Sequence, residues 1–73
     1  MNVIEAYRVR PVHIAEFFAV VVHEPGVGFK VLELRDGEWR PSSIRHADLM
    51  MPGFEYNEWD IRRIPLDELP SKP

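Results

Sequence analysis

Two alternating segments separated by Asp36-Gly37 constrain the fold more than any other feature of the chain. In FKVLELRDGEWRP, residues 29 to 41, apolar and polar residues alternate on both sides of that dipeptide. Strict alternation is typical of β-strands with one half-buried face. Asp-Gly suits a type I′ turn, because both central residues of that turn need positive φ. The sequence therefore predicts a hairpin with strands over residues 28 to 35 and 38 to 41.

Three further segments predict strands. Residues 2 to 10 alternate loosely, and residues 57 to 64 alternate again. Residues 16 to 24 contain FFAVVV, and aromatic and β-branched residues favour strands. Pro25-Gly26 predicts a type II turn from this strand into the hairpin, because Gly accepts the positive φ needed at the third turn position. In the first strand, simple alternation places two sets of side chains on opposite faces: Val3, Tyr7 and Val9 on one, Ile4, Ala6 and Arg8 on the other.

The segment after the hairpin changes its period and predicts a short helix. Ser42 or Ser43 could cap the start of this helix by accepting a backbone N–H. Pro52-Gly53 should end it, so only one or two helical turns fit between them. The apolar residues expected on its inner side are Ile44, Ala47, Leu49 and Met50. One more short turn should precede a frayed tail at residues 70 to 73.

These elements predict a single mainly β domain over residues 1 to 73. Five strands and one helical turn in this order indicate a small five-stranded antiparallel SH3-like barrel or a curled sheet. One alternative stays open, since a helical spacing also fits part of the predicted second strand. It would give an α+β fold, an open antiparallel sheet with a helix over residues 11 to 22. The residues with that spacing are Ile14, Phe17, Phe18, Val21 and Val22.

No pattern in the sequence indicates catalysis, a cofactor or a metal. The three histidines, His13, His23 and His46, lie at no spacing that metal ligands use. The GVG segment at residues 26 to 28 lacks the third glycine and the helix of a dinucleotide-binding loop. A chain of 73 residues also has little room for a deep pocket. We therefore expect no catalytic residue, no cofactor and no enzyme activity.

Charge and composition limit the classes of partner that the chain could bind. Twelve acidic and nine basic side chains give a net charge of −3, which does not favour nucleic acid or an anionic membrane. The longest apolar run, FFAVVV, is far too short to span a membrane, and no signal peptide is recognisable at the N-terminus. We expect a soluble cytoplasmic protein. Because no cysteine is present to form a disulfide, a weak homodimer could add stability to an otherwise monomeric domain.

One cluster, FEYNEWDIRR at residues 54 to 63, suggests a binding surface. Trp, Tyr and Arg dominate the binding energy of protein interfaces. The acids interleaved with Arg62 and Arg63 argue against phosphate contacts. Trp59 and Ile61 share a strand face and should pack inward together with Phe54, which leaves Trp39 as the outward aromatic. The residues predicted to bind a partner are Tyr56, Trp39, Arg40, Arg62 and Arg63.

The sequence therefore favours a small non-enzymatic module that binds another protein, in a regulatory or accessory role. Two alternatives remain: a nucleic-acid-binding small β-barrel, and a structural subunit of a larger assembly. A nucleic-acid reader would need most of its arginines on one face. The residues concerned are Arg8, Arg10, Arg40, Arg45, Arg62 and Arg63.

Overall fold

The computed structural model of the chain describes residues 2–51, 53 and 56–73. Within these residues there are five strands, one α-helix and a 3₁₀ turn. In chain order they are β1 Asn2–Arg10, β2 Phe17–Glu24, β3 Gly28–Arg35, β4 Glu38–Pro41, α1 His46–Met50, β5 Asp60–Ile64 and the 3₁₀ turn Leu66–Glu68. The mainly β fold predicted from the sequence is confirmed.

All five strands belong to one antiparallel sheet in the order β4-β3-β2-β1-β5. The strands β4 and β5 form its opposite edges, and no ladder joins them in the described part of the chain. The sheet is therefore open. The connection that contains α1 carries the chain from one edge to the other.

The alternative of a helix over residues 11 to 22 is wrong. Residues 17 to 24 form β2, which lies in the centre of the sheet between β1 and β3. Val20, Val21 and Val22 are all fully buried, although successive side chains of a strand point to opposite faces. Both faces of the sheet must therefore be covered at β2, which explains a continuous apolar run without alternation.

Both predicted turns are confirmed. Asp36 and Gly37 have φ values of 52° and 78°, as a two-residue type I′ hairpin turn requires. At the β2–β3 connection Gly26 has a φ of 81°, and the Val27 N–H donates to the Glu24 carbonyl at 3.0 Å. Local turn chemistry thus sets the register of the β2–β3 and β3–β4 pairs.

Each face of the sheet carries its own apolar cluster. The helix face is covered by α1 and by the segment that precedes it. Its buried members are Tyr7, Val9, Phe17, Ala19, Val21, Val31, Ile44 and Leu49. The other face is covered by the C-terminal segment through Leu69, and we call it the tail face. Its buried members are Ala6, Val20, Val22 and Leu32.

A β-bulge in β1 changes the predicted side-chain faces. The pairing register with β2 shifts between Val3 and Glu5, so Ile4 and Glu5 together lie opposite Val21. Val3 packs against the tail-face cluster and Ile4 against the helix-face cluster. Simple alternation over residues 2 to 10 is therefore wrong at this point, because the extra residue of a bulge re-aims the side chains beside it.

The start of α1 also differs from the prediction. Neither Ser42 nor Ser43 caps it, since the N-cap residue is Arg45. The Asp48 carboxylate accepts the Arg45 backbone N–H at 3.1 Å, while the Ser42 hydroxyl accepts the Ile44 N–H at 3.1 Å in a turn upstream. A serine close to a helix can thus serve a local turn instead of the helix itself.

Because the helix starts later than predicted, different residues of α1 face the sheet. Ile44 and Leu49 are buried as predicted, but Ala47 and Met50 are exposed. The predicted helix stop at Pro52 lies outside the described residues.

The last strand begins at Asp60, later than the predicted start of the segment 57 to 64. The preceding residues form a turn in which the Trp59 N–H donates to the Tyr56 carbonyl at 3.0 Å. The predicted inward packing of Phe54 lies outside the described residues. None of the helices in the described part of the chain has the length and apolar character that a membrane crossing requires.

Candidate functional site

The structure does not bring the five predicted partner-binding residues together. Trp39 and Arg40 lie on the edge strand β4, whereas Arg62 and Arg63 lie on β5 at the opposite edge. Since successive strand residues alternate, Arg62 and Arg63 also point to opposite faces. Tyr56 lies in the turn before β5, on the helix face. These side chains are therefore distributed over both edges and both faces of the sheet.

The two tryptophans are both partly buried, on opposite faces. Trp59 packs against the helix-face cluster together with Ile61, as predicted, and its ring meets the Tyr56 ring edge-on at 4.8 Å. Trp39 was expected to point outward, but it packs against the tail-face cluster. Its indole N–H is buried without a hydrogen-bond partner among the described residues. Trp39 points to the tail face because it pairs with Leu34, and the two side chains of such a pair lie on the same face of the sheet.

The arginines do not form a basic surface either. Arg8, Arg10 and Arg62 line a small cavity of about 100 Å³ together with Glu16 and Asp60. The Arg8 Nε lies 2.9 Å from Glu16 Oε1, and the Arg62 Nε lies 3.0 Å from Asp60 Oδ1. Because acids neutralise these guanidinium groups, the cavity offers little attraction to a phosphate.

A polar cluster lies where α1 meets the sheet. Glu5 lies on the helix face, two residues before Tyr7 in β1, and its Oε1 accepts the Tyr7 hydroxyl at 2.7 Å. His46 Nε2, at the first residue of α1, lies 3.0 Å from the same carboxylate oxygen. Glu5 and His46 are 41 residues apart in the chain. The carboxylate therefore fastens the start of α1 to the sheet.

The cluster shifts the titration of two of its members. The hydrogen bond from Tyr7 is the largest cause of a lowered pKa of Glu5, and His46 and Arg63 lower it further, against an opposing effect of burial. Burial and the hydrogen bond to Glu5 raise the pKa of Tyr7 to about 12. At neutral pH the carboxylate is therefore ionised and the phenol protonated, as the hydrogen bond requires.

Within the part of the chain that the structure describes, no nucleophile is paired with His46 in this cluster. A nucleophilic mechanism would need a hydroxyl or thiol within hydrogen-bond reach of His46. Ser42 is the nearby candidate, but its hydroxyl accepts the Ile44 N–H, and in the described part of the chain no hydrogen bond joins it to His46. Nor do the described residues contain a group of three or more His, Cys, Asp or Glu that could hold a metal ion.

An exposed apolar surface adjoins the polar cluster. The Phe29 ring lies 5.5 Å from the His46 ring and 5.2 Å from the His23 ring, yet its side chain is 57% exposed. Met50 is 62% exposed and follows His46 by one helical turn, so both lie on the same side of α1. We call these four residues, His23, Phe29, His46 and Met50, the Phe29 patch.

A shallow groove of about 280 Å³ runs from the Phe29 patch along the edge of β3. It separates that edge from the segment that leads into α1. The residues lining it are Phe29, Lys30, Val31, Leu32, Pro41, Ser42, Ile44, Arg45 and His46. Two of these are basic and none is acidic, although acids outnumber bases in the whole chain. The groove lining therefore contains no acid of its own, although Lys30 and Arg45 each contact an acid outside it.

The sequence did not predict the Phe29 patch and its groove, because their residues are not close together in the chain at any recognisable spacing. His23 and Phe29 come together through the β2–β3 register, and His46 arrives with α1. The predicted turn at Pro25-Gly26 joins the two strands that carry them, but nothing in the sequence indicated where α1 would dock. A comparison of the chain with known protein families, curated proteins and solved structures found no match.

Proposed function

We propose that the chain is a small non-enzymatic module that binds another protein, in a regulatory or accessory role, through the Phe29 patch and the adjoining groove. One observation carries the proposal: Phe29 is 57% exposed and lines a groove that has an apolar floor, and Met50, one helical turn after His46, is 62% exposed. Large apolar side chains around a pocket are typical anchors of protein interfaces. The patch replaces the aromatic-arginine surface expected from the sequence as the centre of binding.

We also propose that the fold is related to the SH3-like barrels, although its sheet is open because the two edges do not pair. The strand order β4-β3-β2-β1-β5, with a helix between β4 and β5, supports this relationship. Small barrels of this kind host many functions, so the fold alone does not identify the partner.

The remaining features of the proposal follow from charge and chemistry. Among the described residues, His46 has no hydrogen bond to a hydroxyl, and the Tyr7 hydroxyl is bonded to Glu5 instead, which supports a non-enzymatic role. The acids beside Arg8 and Arg62 support a protein partner in preference to nucleic acid. We propose the cytoplasm as its location, because a chain without cysteine needs no oxidising compartment to fold. A monomer, or a weak homodimer, is the proposed state of association.

Two matched serine variants test the proposal. Phe29→Ser removes the centre of the patch, and Ile14→Ser removes a side chain of nearly equal exposure, 56%, from the loop between β1 and β2. The tagged full chain and both variants would be used to capture proteins from source cells, with quantitative mass spectrometry and a circular dichroism check of folding.

We expect at least one protein to be recovered equally by the wild type and Ile14→Ser, and about tenfold less by Phe29→Ser, as for an interface hot spot. The proposal is wrong if every specifically captured protein is retained equally by all three chains.

A further inference from the structure

We infer that the partner enters the groove as an extended acidic segment, which pairs with the open edge of β3 beside Phe29 as an additional short strand. This inference rests on the proposed protein-binding function and adds the conformation and the charge of the bound segment.

The open edge is the first observation. β4 pairs with β3 only from Leu32 to Arg35. Past the end of β4, one more backbone hydrogen bond runs from the Ser42 N–H to the Val31 carbonyl at 2.9 Å. In an antiparallel ladder, residues direct their N–H and C=O alternately to one neighbour and then the other. The backbone N–H and C=O of Val31 point toward β4, so the backbone N–H and C=O of Phe29, two residues earlier, point the same way. Within the described residues, no backbone or side-chain group bonds to Phe29 on that side.

The path of the chain keeps this edge open. After its bond to Val31, the chain turns away at Ser42, whose hydroxyl accepts the Ile44 N–H at 3.1 Å. α1 then packs over the helix face close to β3, and the groove lies between the edge of β3 and the segment that leads into α1. A strand edge that offers unpaired N–H and C=O groups binds an extended segment through main-chain hydrogen bonds.

The apolar floor of the groove suits alternate side chains of such a segment. Val31 and Ile44 are both buried and line the groove from opposite walls, with Phe29 at one end. An added strand presents every second side chain to the same face. One apolar side chain of the segment would therefore cover the groove floor above Val31 and Ile44 while its neighbours point away.

Charge selects the polar part of the segment. The Arg45 side chain is 82% exposed and contacts Asp48 through Nε alone, at 3.3 Å. Its two terminal amino groups make no contact with an acid among the described residues. Lys30 is already engaged with Glu24 at 2.7 Å, so Arg45 is the main anchor. A guanidinium binds a carboxylate through paired hydrogen bonds, which favours Asp or Glu in the partner.

A library of random eight-residue peptides, displayed and selected against the full chain, tests the inference without a known partner. We expect the selected peptides to be enriched in Asp and Glu and to contain one apolar residue. Methylating the backbone nitrogen of the residue that pairs with Phe29 should weaken binding about tenfold or more, because it removes a main-chain hydrogen bond.

Two further measurements locate the bound peptide. Arg45→Gln should weaken the selected peptides about tenfold, while Arg10→Gln, which removes an arginine outside the groove, should leave binding unchanged. The Phe29 amide should exchange rapidly with solvent in the free protein and at least tenfold more slowly in the complex, because the added strand would accept its hydrogen bond.

Other outcomes overturn the inference. Selected peptides that are basic or neutral would refute the charge, and peptides that tolerate N-methylation at every position would refute strand pairing. If no peptide is selected while Phe29-dependent capture of a protein stands, the extended-segment inference fails and the protein-binding function survives. If capture does not depend on Phe29, the proposed function itself fails.

Discussion

Replacing Tyr7 by phenylalanine removes one hydroxyl from the helix face and should destabilise the protein in a pH-dependent manner. The hydroxyl donates to Glu5 Oε1 at 2.7 Å, and Tyr7 is only 4% exposed. A hydrogen bond to a charged group contributes about 1.5–3 kcal/mol to stability. Glu5 keeps its contact with His46 in the variant, so we expect a loss of about 2 kcal/mol at pH 7. For a domain of this size, that loss corresponds to a Tm lower by about 10 °C.

The pH dependence follows from the shifted pKa values. The folded-state pKa of Glu5 is lowered, so its contribution is complete above the unfolded value of 4.5 and is lost as the pH falls through the folded value. The pKa of Tyr7 is raised from 10.0 to about 12, so its contribution is complete below pH 10 and lost as the pH rises toward 12. The difference between wild type and Tyr7→Phe should therefore be largest near neutral pH and narrow at both extremes.

Urea unfolding at neutral and acidic pH, in four chains, measures these effects. The chains are the wild type, Tyr7→Phe, Glu5→Gln and the double variant. In the Glu5→Gln background the acceptor is neutral, so removing the Tyr7 hydroxyl should cost only about 1 kcal/mol and show no change in acid. An equal loss at both pH values, or an equal loss in both backgrounds, would refute the assignment of this hydrogen bond to an ionised Glu5.

The other predictions concern the aromatic residues, one turn and the state of association. Trp59→Ala should destabilise the protein by about 2–3 kcal/mol in urea unfolding, less than a fully buried tryptophan, and a loss under about 1 kcal/mol would contradict its packing. In the single-Trp variants Trp39→Phe and Trp59→Phe, iodide should quench both remaining tryptophans less than free indole, and full quenching of either would contradict its half-buried position. Gly37→Ala should cost about 1–2 kcal/mol in the same unfolding assay because its φ is 78°, whereas Gly53→Ala, without a positive φ, should cost nothing; equal effects would exclude the strained turn as the cause. Sedimentation equilibrium at tens of micromolar should show a monomer with at most a weak dimer, and a stable dimer would contradict the proposed state.

The parts of the fold that depend on neighbouring residues could be predicted from the sequence. Asp36-Gly37 encodes its turn within two residues, and the alternation in β3 then assigns Phe29 and Val31 to one face and Leu32 to the other. In β2 the continuous apolar run had both a strand and a helix interpretation. The strand is correct because β2 is buried on both faces of the sheet. That burial depends on the whole sheet and cannot be read from the residues of β2 alone.

The candidate site could not be predicted, because it depends on contacts between distant residues. Glu5 lies on the helix face by simple alternation with Tyr7, but nothing in the sequence indicates which residue of α1 it meets there. His46 then meets Glu5 across most of the chain. Arg45 became the N-cap because Asp48 accepts its N–H, a geometry that competes with the more familiar serine cap. Each wrong prediction therefore concerns a residue at which one local conformational preference competed with another, or with packing against distant residues.

The position of β1 between β2 and β5 has a consequence for how the chain acquires its structure. β1 is the first strand in sequence and β5 the last, and their pairing from Ala6–Ile64 to Arg10–Asp60 joins residues separated by most of the chain. Such non-local pairings slow folding, because the entropy of closing a long loop is lost before the contacts form. During synthesis the β1–β4 meander can assemble first, but one edge of β1 stays unpaired until β5 has been made. Over that interval Ala6 and Val9 depend on the nascent chain's other contacts, or on a chaperone, for protection from pairing with another copy.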